Sequence, residues 1–548
     1  MPPLWRFLLS RERRYDQEAT TFAAKTSLRT AVLKDWNGAG ERESHSQPPG
    51  RGSGDSPVTA DLAEPATARS GGSLYFAAIL ISLGAAVLRY VAVARLLGPE
   101  QLGIAAILLI TGAFFDLITD TGGDRFLIQD RHGGAFRVQK LVQLVWAARG
   151  VTIAVALVVL AEPIARFYRA PRLAEGLMLL ALSPLIQGFL HLDVRRAQRD
   201  HDFRPHGISM IAAELAGLAA TVAAAWLTGD FTAVVYGLIA RSLVLVAASH
   251  LMAERPYRLG WDRRYAPRLA RFAAPLTVNG MLLFLAAQGD RVIISQQLGL
   301  TALGYYSAVS QLIAYPSIVV ANYLHAIYIP LIAAQRDMPG GAERVGDWLG
   351  GQVLVLAVIM AAGFALVAPV ATPLLFGARF AQPVLMIALV GVLQMARSLL
   401  TWPTTVALAV GRSATVALSN LAHVVALLTA FIGLRVWGGI DGLLGGLVVG
   451  ELAASAFAVV MLNRDTGSRV SHGMDRLALF ALSAAVVVAW TLVWEVKSWA
   501  AAGAMLLVSA GLAAFLLRRE AEAIALGMDE IRRLAAPLWP RQRARQEG

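Results

Sequence analysis

The stretch Leu96–Gly103, LLGPEQLG, decides how the chain is organised. It is a short polar turn inside apolar sequence that begins near Leu74 and resumes at Ile104. Its frame, Leu-Gly, three residues, Leu-Gly, returns as LGLTALG at Leu298–Gly304, 201 positions later and again between two long apolar runs. Glycine permits close turning between antiparallel helices, and the flanking leucines seat each turn in apolar surroundings. Two turns of one design at equivalent positions read as an internal repeat.

The repeat lies in a chain built for lipid. Of 548 residues 56% are hydrophobic and 16% charged, and mean hydropathy is +0.56. So few charges cannot cover a soluble surface, whereas a bilayer rewards an apolar exterior. A span needs about 20 mostly apolar residues. Fourteen such runs follow one another, at about 74–97, 102–121, 139–161, 173–192, 207–228, 232–252, 272–297, 303–332, 349–374, 381–409, 413–436, 440–462, 476–496 and 498–517. The expected fold class is all-α: a polytopic membrane protein of about 14 transmembrane helices, with two pseudo-symmetric six-helix lobes and two C-terminal helices.

The 201-residue shift lays runs 1 and 2 on runs 7 and 8, six spans apart, so both halves have the same topology. The expected domains are a disordered cytoplasmic tail at 1–70, lobes at 71–256 and 257–465, two further helices at 466–518 and a basic cytoplasmic tail at 519–548. The stretch SHSQPPGRGSGDSP (Ser44–Pro57) carries the disorder reading, and the start lacks the apolar core and cleavage site of a signal peptide.

Arginine placement gives orientation. Clusters such as Arg195, Arg196, Arg199 and Arg204, or Arg255, Arg258, Arg263, Arg264, Arg268 and Arg271, fall in alternate loops. The rule that cytoplasmic loops are positive then places both termini inside. The trio Arg166, Arg169 and Arg172 alone dissents. The same loops account for the +12 net charge, so nucleic acid is not an expected partner. The absence of cysteine excludes disulfides, thiolate metal sites and cysteine nucleophiles.

Charges within spans cost at least ~2.5–3.5 kcal/mol near the bilayer centre and face protein or water. The chain has Arg89 in run 1, Asp116 and Asp120 in run 2, Arg149 in run 3, Glu214 in run 5 and Arg241 in run 6. Asp290 and Arg291 follow in run 7, His325 in run 8, Arg397 in run 10, His423 in run 11 and Glu451 in run 12. Asp116 and Asp120, four apart, share a helical face. Folding the first hairpin about its turn sets Arg89 opposite Thr111, so an Arg89–Asp116 pair is not expected. Arg149 and Arg397 have no acidic residue within four positions on their own helices, and an unpaired buried arginine suits a phosphate, which its forked donors bind bidentately. With Arg89, Arg241 and Arg291 they are the candidate substrate-binding cleft. Asp116, Asp120, Glu214, Asp290 and Glu451 are candidates for gating or ion coupling, against the plainer alternative of interhelical clamps. His325 and His423 read as packing or hydrogen-bonding residues, and Pro184, Pro275, Pro316 and Pro403 bend their helices.

Four segments, ARLLGPEQLGIAAI (Ala94–Ile107), IARFYRAPRLAEGLMLLALSPLIQG (Ile164–Gly188), FAAPLTVNGMLLFLAAQGDRVIISQQLGLTALGYYSAVSQL (Phe272–Leu312) and PLLFGARFAQPVLMIAL (Pro373–Leu389), carry a family likeness. In order and spacing the chain resembles the polysaccharide-exporting, oligosaccharide-flippase branch of the superfamily that also holds the multidrug and toxin extruders. The resemblance implies a V-shaped pair of six-helix lobes that moves an undecaprenyl-diphosphate-linked glycan across the bacterial inner membrane by alternating access, for lipopolysaccharide or exopolysaccharide synthesis. Asp290 and Arg291 fall at the family's acidic-basic position in span 7. The long N-terminal tail is a departure.

The implied partners are the lipid-linked glycan, membrane lipid, and a polysaccharide polymerase with glycosyltransferases. No metal or cofactor is expected. Two alternatives stay open: a small-molecule antiporter of the same superfamily, whose cleft would favour carboxylates and aromatics, and a membrane glycosyltransferase or glycan polymerase, which would need a larger outer loop than Glu162–Arg172. The absence of a nucleotide-binding motif or nucleophilic triad favours a non-enzyme.

Overall fold

The computed structural model describes residues 66–336, 338, 340–466, 473–496 and 499–526. Most of the two expected tails, residues 1–65 and 527–548, lies outside them. Among the described residues every regular element is helical, and the protein is a polytopic membrane protein.

In chain order the helices are α1 (Ala66–Leu97), α2 (Pro99–Ile118), α3 (Gly123–Gln129), α4 (Phe136–Phe167), α5 (Arg172–Leu180), α6 (Leu182–Gln187), α7 (Asp193–Arg199), α8 (Arg204–Thr228) and α9 (Thr232–Leu251). The second half holds α10 (Ala266–Gln335), α11 (Gly341–Phe376), α12 (Val384–Leu399), α13 (Thr401–Ala409), α14 (Ser413–Ala426), α15 (Leu428–Trp437) and α16 (Gly439–Thr466), and α17 (Gly473–Val496) and α18 (Trp499–Arg519) end the series. Among the described residues eleven helical stretches are long and apolar enough to cross a membrane, and one of them, 280–335, takes in most of the seventh run and all of the eighth.

Local chemistry explains the interruptions. Proline lacks an N–H and its ring collides with the carbonyl four residues back. Accordingly α5 ends at Leu180, four residues before Pro184, and α12 ends at Leu399, four before Pro403. Helix α2 stops at Ile118, so Asp120 lies past its end. The expectation that Asp116 and Asp120 share one helical face is therefore corrected. The Asp120 carboxylate instead accepts the Gly122 N–H at 2.8 Å and approaches Arg125 at 3.5 Å.

The repeated turns answer for the two glycines in each. The first, Gly98 (φ 82°, ψ 178°) and Gly299 (φ 88°, ψ 178°), adopts a backbone conformation that side chains resist. The second is an interface residue. A Cβ on Gly103 would stand 2.0 Å from the Leu300 carbonyl oxygen, and one on Gly304 would stand 1.9 Å from that of Pro99. These contacts exchange under the same 201-residue shift. The turns thus pack on each other, and α2 runs against α10.

A second reciprocal pair flanks them. Arg95 donates from Nε to the Leu375 carbonyl at 2.7 Å and from Nη2 to that of Leu374, while Gln296, its counterpart, donates to the Phe167 carbonyl at 2.7 Å. Both side chains satisfy carbonyls at a helix C-terminus, which have no intrahelical donor. At the opposite end the relation breaks. A Cβ on Gly280 would lie 2.1 Å from the Leu117 carbonyl oxygen, but the counterpart residues, Ile79 and Ile318, are 43% and 53% exposed.

Helices α17 and α18 are tied to the rest by Arg476. It is buried, makes a bidentate pair with Glu520 (3.1 and 2.9 Å), reaches Asp347 at 3.3 Å and lies over the Trp402 ring. Removing one partner of such a pair strands the other charge, at about 3–5 kcal/mol. Arg476→Ala is therefore expected to lower the thermal midpoint in detergent by several degrees. An unchanged midpoint would show that the pair does not hold these helices.

A candidate cavity between the two halves

A cavity of about 590 Å³ lies where α1, α2 and α9 of the first half meet α10, α12 and α14 of the second. Its charged lining is Arg89, Arg291 and Arg397, with His423; no carboxylate lines it. Amides and hydroxyls from Gln288, Ser307, Gln311, Gln394, Tyr90 and Tyr315 complete the polar part of its wall. None of these six is among the expected cleft residues, which are all arginines. Their signal was present on α10, where Ser307, Gln311, Ala314, Tyr315 and Ile318 recur at helical spacing along one face.

The arginines are set by carboxylates behind the wall. In the first half Glu214, 6% exposed, accepts Arg89 Nη1 at 3.3 Å and Arg241 Nε at 2.6 Å. Gly217 makes room for both: a Cβ there would lie 3.1 Å from Arg89 Nη1 and 3.0 Å from Arg241 Cβ. Arg89 does not pair with Asp116, consistent with its register opposite Thr111. In the second half Asp290 is fully buried. It accepts Arg397 Nη1 at 3.0 Å, the Tyr306 hydroxyl and the Arg291 backbone N–H at 2.8 Å. Arg397 Nε also reaches Glu451 at 3.1 Å. His423 lies with Nδ1 2.8 Å from Glu451 Oε2 and Nε2 3.1 Å from the Ala286 carbonyl oxygen.

Two expectations need correction. Arg397 is not unpaired, since Asp290 and Glu451 reach it from other helices. Arg149 is paired too, with Asp116 at 3.0 Å, and its Nε donates to Thr119; neither Arg149 nor Arg241 lines the cavity. The absence of nearby acidic residues on one helix says nothing about neighbours across an interface. His325, on the second half of α10, is half-buried and also away from the cavity.

Arg291 differs from the rest. Its Nη1 donates to Gln288 Oε1 at 2.5 Å, and it makes no ion pair among the described residues. Four buried polar atoms on cavity-lining residues also lack a hydrogen-bond partner: Tyr90 Oη, Ser307 Oγ, Arg397 Nη2 and His423 Nδ1. Unmatched buried groups of this kind cost about 1–3 kcal/mol each.

Comparison with known proteins places this geometry. A family model described as polysaccharide biosynthesis protein matches residues 92–385, more than half of the chain. Among curated relatives, the succinoglycan biosynthesis transport protein ExoT of Rhizobium meliloti (strain 1021) is 27% identical over 334 residues, 59% of this chain and 65% of the relative. The lipopolysaccharide biosynthesis protein WzxC of Escherichia coli (strain K12) is 24% identical over 267 residues, 47% of this chain and 53% of the relative. The chain thus spans between half and two thirds of the length of these relatives. Among solved structures, the lipid II flippase MurJ in an inward closed conformation superposes with a TM-score of 0.54 at 11% identity, over 82% of this chain and 99% of that one. An inward-facing multidrug resistance MATE family transporter gives 0.54 at 16%, over 75% and 95%. These two likenesses show the fold alone. The chain belongs to the polysaccharide biosynthesis protein family.

Proposed function

We propose that the protein translocates a lipid-linked oligosaccharide, with undecaprenyl diphosphate as the carrier, across the bacterial inner membrane by alternating access. Residues 71–256 and 257–465 act as the two lobes, and both termini are cytoplasmic. The observation that carries this reading is the cavity at the seam, where Arg89 from one half and Arg291 and Arg397 from the other face a common space. A diphosphate needs several forked cationic donors at once; Arg291 has no carboxylate to give up, and Arg397 keeps Nη2 free. The glutamines and hydroxyls in the same wall suit sugar hydroxyls. The exposed residues Ile79 and Ile318 mark the side on which a prenyl chain could stay in lipid. A polymerase and glycosyltransferases would supply and consume the cargo.

An exporter of small cations is the weaker reading, because no carboxylate lines the cavity. Carbohydrate polymerisation is weaker still, as the relatives are named for transport and biosynthesis.

The test is Arg291→Ala in a strain whose own copy is deleted. Normal membrane abundance with at least a tenfold fall in surface glycan, and lipid-linked precursor held in the cytoplasmic leaflet, is expected; Arg291→Lys, which keeps charge but not the fork, should recover part of it. Wild-type export from both Arg291→Ala and Arg89→Ala would refute the assignment.

A further inference from the structure

Residues 252–271, which join the halves and open α10, divide their arginines by direction. Two face inwards. Arg255 donates from Nη1 to the Gly134 carbonyl at 2.9 Å and to Gln139 Oε1 at 3.1 Å, and Arg268 reaches Asp130 at 2.7 Å. With the Gly260 N–H on the Lys140 carbonyl at 3.3 Å, these contacts lay the connection along residues 130–140. Arg258, Arg263, Arg264 and Arg271 face outwards instead, and Arg131 and Arg137 of the neighbouring segment join them. All six are exposed and make no ion pair among the described residues. The three carboxylates of the two segments are engaged elsewhere: Asp130 by Arg268, Glu254 by Arg196 at 2.5 Å, and Asp262 by the Arg264 and Tyr265 N–H groups at 2.9 and 3.3 Å.

Apolar side chains stand out between these cations. Trp261 is 66% exposed and Leu259 44%, two positions apart and flanked by Arg258 and Arg263. The patch lies where α4 begins at Phe136, α9 ends at Leu251 and α10 begins at Ala266, all helices with stretches long and apolar enough to span the bilayer. It is therefore at headgroup depth. Tryptophan favours that depth, and arginine lays its stem on apolar surroundings while its head stays among phosphates. Charge alone would also suit an acidic protein; the exposed tryptophan and leucine at this depth select lipid.

We propose that this surface binds anionic phospholipid, with Leu259 and Trp261 set into the headgroup layer and the six guanidiniums on lipid phosphates. The leaflet, cytoplasmic, rests on the orientation proposed above; the binding itself does not depend on cargo.

The test uses the full chain, without cargo, in nanodiscs of phosphatidylcholine and phosphatidylglycerol, with the lipid kept by the protein on transfer to detergent counted by native mass spectrometry. Each arginine near an anionic surface is worth about fivefold in affinity. Wild-type protein should therefore keep phosphatidylglycerol over phosphatidylcholine by at least about tenfold, and R258Q/R263Q/R264Q/R271Q should lose that preference. The thermal midpoint of the variant should not change, since none of the four side chains is tied to another helix. In nanodiscs with brominated acyl chains, the fluorescence that W261F lacks should be quenched. Equal retention of both lipids by wild type, the same preference in the variant, or an unquenched Trp261 signal would each overturn the site. If the variant misfolds, the Trp261 signal decides alone. Displacement of the retained phosphatidylglycerol by equimolar farnesyl diphosphate would overturn phospholipid as the occupant in favour of a cargo headgroup. Failure here leaves the transport reading intact, and wild-type export from the Arg291 and Arg89 variants leaves this site intact.

Discussion

Alanine in place of Arg397 is expected to cost the protein its folded second half before it costs it transport. Arg397 is the only cation bonded to Asp290 and the shared cation of Glu451 among the described residues, and these carboxylates are 0% and 2% exposed. Its removal strands both, and breaking a single buried pair already costs about 3–5 kcal/mol. Membrane abundance should fall several-fold and the thermal midpoint in detergent should drop steeply. A combined Arg397→Met, Asp290→Asn, Glu451→Gln variant, which neutralises the cluster, should recover abundance while surface glycan stays absent. That split would separate the clamp from the cargo contact on one side chain. Wild-type abundance and midpoint in Arg397→Ala alone would refute the clamp.

A comparable effect is expected from a residue with no side chain. Gly103 and Gly304 place their Cα atoms against the Leu300 and Pro99 carbonyl oxygens, where a Cβ would stand 2.0 and 1.9 Å away. Backbone cannot swing aside as the tip of a side chain can. A valine at either position must push α2 and α10 apart. Overpacking of about 1–3 kcal/mol shifts a two-conformation balance by about 5- to 150-fold. In the orientation proposed above this contact seals the outer end of the cavity, so Gly304→Val should bias the protein towards an outward-open state. The chain has no cysteine, and Gln311→Cys therefore provides a single reporter inside the cavity. Its labelling by a membrane-impermeant maleimide on intact cells should quicken at least about fivefold in the Gly103→Val and Gly304→Val backgrounds. Unchanged labelling in both would show that the turns do not form the seal.

The repeated turn could be read at sight, but only half of its meaning. That Gly98 and Gly299 turn the chain is local physics, since a positive φ is a property of one residue and its neighbours. That Gly103 and Gly304 meet across the molecule depends on how two hairpins separated by some 200 residues are docked. The same division runs through the charges. Arg89, Arg291 and Arg397 were visible as costly residues within apolar runs, and all three line the cavity. Arg149 looked equivalent by the same criterion, yet Asp116, 33 positions away, takes it. Tyr306, a ligand of Asp290, gave no signal because one tyrosine in an apolar helix is unremarkable.

Hydropathy and the two glycine turns were enough to establish that the chain crosses a membrane many times, where it repeats, and which side chains could not face lipid. These follow from transfer free energies and short-range sterics, which act within a helix or a turn. Which carboxylate answers which arginine depends on how the helices pack, since Arg89 finds Glu214 across 125 positions and Arg397 finds Asp290 across 107. Such pairings are fixed by the packing of whole helices, and so is the setting of Arg291, which lines the cavity and makes no ion pair among the described residues.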